Sequence, residues 1–442
     1  MKMTKRITVL VSCLVAIALI LTACGASSST PPDTKAPADT KAASDQKEEA
    51  KSAEKLSMVG LASSPDWKWA DQYLKKVEEH FPEYSFVIKS FDASNIDKTL
   101  KTMVAAGNPP DFSFYWPNYI STYVQGNMAL DLTPYLTENN NEWANTFEEG
   151  TLDIGKVDGK YYALPFRSVY PMLIVNKDIT EKAGVTIPEN DWTWEQFMEV
   201  NKTLKEKLGG SGVYPFAIRY DWACWLVRNS YMSNWDTKQQ SDDFAAGKVS
   251  FLEPNVVKAF DAARSVYDNN YAYPGKGAIA VKMDEVMSAF KAGKIAMVAD
   301  VNSMAGADIK NIGLKNIQIA SWPHLGAQDI LIGGCDGWFI PANAKHKEDS
   351  VKILKFLTGK EALQIVADDG SPVTVKGVSS TDPNFAMYSR DTAKITRNEI
   401  VTISSQIQDV ITNKMPADYI NKGKASLDAL ETMRKQAMEG KK

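Results

Sequence analysis

Apolar positions in this chain follow two periods that keep exchanging places. Trp69, Tyr73, Val77 and Phe81 recur every four residues, as one face of a helix does, and Tyr84 to Phe91 then alternates as a strand does. Ser57 to Leu61 reads as a strand ahead of them. A second amphipathic helix turns Ile96, Leu100, Met103 and Val104 inward and stops at Gly107 and Pro109, before a strand over Asp111 to Tyr115. Farther on, Thr193 can cap a helix whose Gln196 reaches back to its amide, with Phe197, Val200, Leu204 and Leu208 on the inner face. Helices over 254–267 and 284–291 precede a strand over 295–299. An apolar stretch over 317–322, a glycine-rich passage over 330–339, a helix over 347–357 and a helical tail from Asn398 complete the pattern. Strand and helix alternating in this way predict an α/β chain, its sheets mostly parallel and flanked by helices.

Gly155 to Asp178 breaks that rhythm. It opens on a turn at Val157-Asp158-Gly159, runs through strand-like Lys160 to Leu164, meets Pro165, and resumes as a second strand over Met172 to Val175. Phe166, Arg167, Ser168, Val169, Tyr170 and Pro171 stand between. Two readings fit this stretch. One is a pair of buried strands; the other is chain passing between two lobes, whose cleft would use a planar cation and aromatic rings to grip a polar ligand.

The apolar run from Ile7 to Leu21, behind Lys2, Lys5 and Arg6, is too short for a comfortable membrane span and reads as a signal segment over residues 1–23. Its end, Leu21-Thr22-Ala23-Cys24, resembles the lipobox of bacterial lipoproteins, in which the cysteine thiol receives a diacylglycerol. Two acyl chains there would hold the mature chain stably at a membrane. Residues 24–55 carry that cysteine and a tether of Ser, Thr, Pro, Ala, Lys, Asp and Glu without one aromatic ring, a composition no core could use. The chain from Leu56 onward is long enough for two packed cores, and no later apolar run is long enough to span a bilayer. The formal charge is −4, and no basic block interleaves with aromatics, so nucleic acid is not expected as a partner. Beyond Cys13 and Cys24, only Cys224 and Cys335 remain; they lie far apart in sequence, and their pairing is left open.

His80, His324 and His346 are scattered, so neither a metal site nor a cofactor is expected. The chain has no GxxxxGK[ST] phosphate loop, no GxGxxG turn and no GxSxG nucleophile elbow. Two carboxylates suffice for a glycosidase, and 54 acidic residues supply such pairs by chance, so counting leaves a hydrolase open. The stronger pattern is one of position. Trp67, Tyr115, Trp116, Tyr170, Trp222, Trp322 and Trp338 fall in or beside passages that follow strands, accompanied by Asn118, Arg167, Arg219, Asp221, Asp300, Asn302 and Asp336. Flat apolar faces combined with bidentate donors and acceptors suit a ligand with C–H faces and many hydroxyls, which is a sugar. Loops at the carboxyl ends of strands are also where open α/β sheets bind ligands.

Several segments, in order, carry a family resemblance: Thr102 to Asp111 (TMVAAGNPPD), Gly126 to Tyr135 (GNMALDLTPY), Asp158 to Pro165 (DGKYYALP), Val175 to Asp178 with Lys182 to Gly184, Thr193 to Phe197 (TWEQF), Ala289 to Met297 (AFKAGKIAM) and Gly333-Gly334. In them the chain resembles the extracellular solute-binding proteins of ABC importers, the large group typified by maltose- and oligosaccharide-binding proteins. The resemblance implies a two-lobed periplasmic-binding-protein fold, type II-like. Residues 56–165 and 333–377 would form the first lobe, 166–332 and 378–442 the second, with hinge crossings between them. It also implies solute contacts from Tyr115, Trp116 and Asn118 in the first lobe, from Arg167 to Tyr170 at the crossing, and from Asp221, Trp222 and Asp300 to Asn302 in the second. The expected protein is a monomeric receptor, lipid-anchored at the cell surface, that captures an oligosaccharide without chemistry and hands it to membrane permeases. Arg167 and Arg219 keep an anionic sugar or another solute as the alternative, and a surface glycosidase stands behind both.

Overall fold

The computed structural model describes residues 56–61, 69–89, 95–380, 385–396 and 398–440. The signal segment, Cys24, the tether and Trp67 lie outside them. In chain order the main strands are β1 (Leu56–Leu61), β2 (Tyr84–Lys89), β3 (Phe112–Tyr115), β4 (Leu164–Val169), β5 (Pro171–Asn176), β6 (Tyr214–Ala217), β7 (Ile295–Val301), β8 (Ile317–Ser321) and β9 (Gly334–Phe339). The helices that matter for the site are α1 (Ala70–His80), α2 (Ile96–Ala105), α3 (Trp194–Leu208), α4 (Cys224–Ser233) and α5 (Asn302–Ile312).

Local chemistry accounts for much of this. Trp69, Tyr73, Val77 and Phe81 are all buried, so the four-residue recurrence on α1 is the face that enters the core. The capping box on α3 forms as its sequence predicts: the Gln196 amide donates to Thr193 Oγ1 at 3.3 Å, and the Thr193 amide donates to Gln196 Oε1 at 2.8 Å. Every residue of β5 and β7 is buried, as strands covered on both faces must be.

The strands make two sheets, one per lobe. The first has the order β2-β1-β3-β9-β4, and the second β8-β5-β7-β6. Each has its own hydrophobic core, one around Tyr73, Phe114, Phe166 and Trp338, the other around Leu173, Phe197, Phe216 and Val298. Both sheets are mixed, against the expectation of mostly parallel ones. In the first, β1 is parallel to β2 and β3, but β9 is antiparallel to β3 and β4. In the second, β5 is antiparallel to β8 and β7, and only β6 and β7 are parallel. Direction reverses where chain arrives from the other lobe: β5 enters the second sheet directly from β4, and β9 returns from the second lobe into the first sheet.

The change of sheet comes at Tyr170, between β4 and β5, instead of at Pro165, because β4 stays paired to β9 through Val169. Asn302, at the start of α5, fastens this crossing. Its amide donates to Tyr170 O at 3.0 Å, its Oδ1 accepts from the Tyr170 amide at 2.8 Å, and its Nδ2 donates to Ser168 Oγ at 3.2 Å and Tyr388 O at 3.1 Å. The Tyr170 hydroxyl donates to the same Tyr388 carbonyl at 2.6 Å, which ties a later crossing to the first.

The return crossing ends in β9, whose register shifts between Asp336 and Gly337. A Cβ on Gly337 would sit 2.5 Å from the Leu164 carbonyl oxygen and 2.3 Å from the Pro117 ring. Gly337→Ala is therefore expected to cost about 1–3 kcal/mol of stability by overpacking. A urea unfolding midpoint equal to that of the wild type would contradict this.

Candidate functional site

Register puts one set of chain ends at the crossing. Val169 pairs with Gly334, and Tyr115 with Gly337, so the carboxyl end of β3, the start of β9 and the end of β4 share one edge of the first lobe. In the second lobe Val301 pairs with Pro171 and Ser321 with Met172, while β6 runs parallel to β7. The carboxyl ends of β6, β7 and β8 therefore meet the same boundary. Residues just past these ends are the ones a bound molecule could reach.

On the first-lobe side stand Trp116 and Asn118, both half-buried. Asn118 lies against the start of β9, where a Cβ on Gly334 would fall 2.5 Å from its Oδ1. Burial pushes the Asp336 carboxyl up, and the Arg167 guanidinium and the Trp116 indole pull it back. On the second-lobe side the passage after β6 holds Arg219, Asp221 and Trp222, all half-buried. Arg219 donates from Nε and Nη2 to the two Asp221 oxygens, both at 2.6 Å, and its guanidinium carbon lies 4.6 Å from the centre of the Trp222 ring. The fork fixes the carboxylate beside the guanidinium, and the guanidinium lies over the indole, so a carboxylate and an aromatic face are presented together.

Several residues expected at the site sit inside the protein. Tyr115 is 1% exposed, its hydroxyl donating to Asp97 Oδ1 at 3.0 Å and its ring 4.7 Å from that of Tyr123. Trp338 is fully covered, stacked on Phe166 at 5.7 Å, its indole donating to the Tyr73 hydroxyl at 3.2 Å. Trp322 is buried as well. Tyr170 and Asn302 spend their polar groups within the crossing, on each other, on Ser168 and on the Tyr388 carbonyl. Within a strand the side chain before the end turns into the core, and the one past the end is released from it, which separates Tyr115 from its neighbour Trp116.

Arg167 is also buried, and it is engaged. Its Nε donates to Asp336 Oδ2 at 2.6 Å, and its Nη1 donates to Ser303 O and Ser371 Oγ, both at 3.3 Å. Those partners come from β9, from α5 and from the later crossing, so the arginine that resembled an anion contact is a tie between crossings. Two residues absent from the sequence-based set meet at this end as well, Tyr119 in the passage after β3 and Arg228 on α4. Arg228 is the one cation in the apolar α4 sequence CWLVRNSYMS, a signal that could have singled it out. Cys224 and Cys335 are both buried and are not joined in a disulfide.

Residues 62–364 match the family model for the bacterial extracellular solute-binding protein. The chain belongs to that family. A protein of Brucella abortus (strain 2308) named as a binding protein is 25% identical over 406 residues, covering 83% of this chain and 92% of its own. The sn-glycerol-3-phosphate-binding periplasmic protein UgpB of Rhizobium meliloti (strain 1021) is 25% identical over 215 residues, and the match spans about half of each chain. Among solved structures, an ABC substrate-binding protein from Listeria monocytogenes in complex with cycloalternan shares the fold with a TM-score of 0.71 at 18% identity, covering 87% of this chain and 100% of that one. The two-lobed α/β fold is thus that of solute-binding proteins, and the family is an extracytoplasmic one.

In this solute-binding protein Asp300, at the end of β7, is 1% exposed, and its Oδ2 has no hydrogen-bond partner. Burial pushes its carboxyl well above the usual carboxylate range, the neighbouring Asp308 carboxyl pushes it further, and the Val301 amide and then Arg219 pull it back in part. The folded protein holds this proton more tightly than the unfolded chain does. The contribution of Asp300 to stability is therefore fully present below the ordinary carboxylate pKa near ~4 and is lost as pH rises through the folded value. Asp300→Asn, neutral at every pH, is expected to flatten this slope. Between about pH 5 and about pH 8 the wild-type melting temperature should fall more than that of the variant. Parallel curves for the two would rule out titration of Asp300 in this window.

A groove of about 410 Å³ in the second lobe is lined by Tyr273, Asp284, Glu285, Ser288, Ala289, Ala292 and Lys294. Lys294 precedes β7 whereas Asp300 nearly ends it, so the groove lies a strand length, on the order of 20 Å, from the strand ends described above.

Proposed function

We propose that this protein is the receptor of an ABC importer, capturing a neutral carbohydrate between the two lobes and delivering it to membrane permeases. The observation that carries the proposal is the set Arg219, Asp221 and Trp222 past the second-lobe strand ends, with Trp116 and Asn118 past those of the first lobe. A sugar ring would stack on the Trp222 face away from Arg219, its hydroxyls bridging Asp221 and Arg219. Closure would add the first-lobe contacts, and solute could shift it only by its difference in affinity between closed and open forms. The solved relative bound to cycloalternan supports a saccharide. Cys24 in its lipobox-like setting supports anchoring of the mature monomer at the cell surface, with the tether giving it reach.

The glycerol-3-phosphate-binding relative favours a second reading, a phosphorylated polyol. The charges at the strand ends count against it. Arg167 is paired with Asp336, Arg219 with Asp221, and Arg228 with Glu399, so an anion would meet a carboxylate beside every one of these guanidiniums. A thermal-shift screen over neutral mono- and oligosaccharides, acidic sugars and sn-glycerol 3-phosphate tests the proposal. Stabilisation that grows with ligand concentration is expected for a neutral saccharide. Stabilisation by glycerol 3-phosphate alone would replace the proposal with the second reading, and release of cleavage products from an oligosaccharide would replace it with a hydrolase.

A further inference from the structure

We propose that Tyr119 and Arg228 form a latch between the two lobes, built wholly of protein atoms, which holds them together whether or not solute is bound. Tyr119 belongs to the first lobe. It follows β3 in the turn Pro117–Tyr119, its amide donates to Trp116 O at 2.9 Å, and the next residue, Ile120, is buried in the first-lobe core. Yet its ring packs against both hydrophobic cores, which no other partly buried apolar residue among the described residues does.

Its hydroxyl accepts a hydrogen bond from Arg228 Nη2 at 2.9 Å. Arg228 belongs to the second lobe and is held there without help from the first. Its Nε donates to Glu399 Oε2 at 3.1 Å, its Nη2 also pairs with Glu399 Oε1, and the Tyr231 hydroxyl donates to Glu399 Oε2 at 3.2 Å. The guanidinium is thus aimed before Tyr119 arrives. Burial pushes the Tyr119 hydroxyl up to about 12, so it stays neutral over the working pH range and the contact is a charge-assisted bond to a neutral oxygen.

The ties at Asn302 and Arg167 join the crossing segments themselves, and a rotation about the hinge can leave them in place. The Tyr119–Arg228 bond differs, because its two halves ride on different lobes and separate when the lobes part. A bond to a charged group shifts an open–closed equilibrium by roughly tenfold or more. Tyr119 and Arg228 are positioning residues in this account; neither has to touch solute.

Small-angle X-ray scattering on the full chain with no sugar added tests the latch without reference to what the protein binds. Tyr119→Phe keeps the ring and removes only the hydroxyl, and it is expected to enlarge the radius of gyration while the far-ultraviolet circular dichroism stays unchanged. Arg228→Lys should open the lobes in the same way where it folds. Tyr115→Phe is the control: it removes a hydroxyl bonded within the first lobe, so it should lower the melting temperature without enlarging the particle. Superimposable scattering from Tyr119→Phe and the wild type would overturn the latch.

Discussion

Trp222→Ala is expected to weaken saccharide binding about 30- to 1,000-fold, the loss of about 2–4 kcal/mol that truncating a central aromatic contact costs. The ring is half-buried at a strand end and backed by the Arg219 guanidinium at 4.6 Å. Removing it deletes the stacking face and also the surface that backs the Arg219–Asp221 fork. The solute-free protein should lose little stability, because the indole lies at the margin of the second-lobe core instead of within it. Calorimetric titration with the saccharide that stabilises the wild type most is the measurement. Unchanged affinity would remove Trp222 from the site, and a variant that unfolds at the same temperature as the wild type yet binds weakly would place the effect in recognition.

The second large effect concerns stability. Asp336→Ala leaves the buried Arg167 guanidinium without its carboxylate, while the Ser303 carbonyl and the Ser371 hydroxyl still accept from Nη1. Breaking such a pair from one side costs about 3–5 kcal/mol, mostly for the charge left behind. The urea midpoint should drop accordingly. Replacing both partners with apolar residues, Arg167→Met with Asp336→Leu, should recover much of the loss, since the desolvation cost disappears with the charges. A single-variant loss below about 1 kcal/mol would mean that the pair is as weakly coupled as one on the surface.

Much of the fold is legible in the sequence because it rests on local periodicity. The α1 face, the Thr193 capping box and the predominantly apolar strands β5 and β7 follow from side chains within one element. Strand direction is not legible in the same way. Whether β9 lies parallel or antiparallel to β3 depends on which lobe the chain has just left, and no residue in GCDGWF records that.

The site divides along the same line. Trp116, Asn118, Arg219, Asp221 and Trp222 are legible because they follow strands, and they do stand past strand ends. Tyr115 and Trp338 are not, because both lie within strands whose every residue is buried, and along such strands alternation does not mark which side chain is exposed. Arg167 looks like a ligand contact in the sequence because its partner Asp336 is 169 residues away. Glu399 lies 171 residues from Arg228 and gives no signal of its own. Buried ion pairs of this kind are set by tertiary proximity, and they decide whether a cationic side chain is free for an anion or already neutralised.

The central claim, that solute is held between facing strand ends by the Trp222 passage and the Trp116 turn, is tested most directly by a crystal structure of the complex with the most strongly stabilising neutral saccharide. A sugar ring stacked on Trp222 is expected, with polar contacts from Asp221 or Arg219 on one lobe and from Trp116 or Asn118 on the other. A saccharide bound elsewhere, as in the groove beside Tyr273 and Asp284, with these side chains untouched, would contradict it.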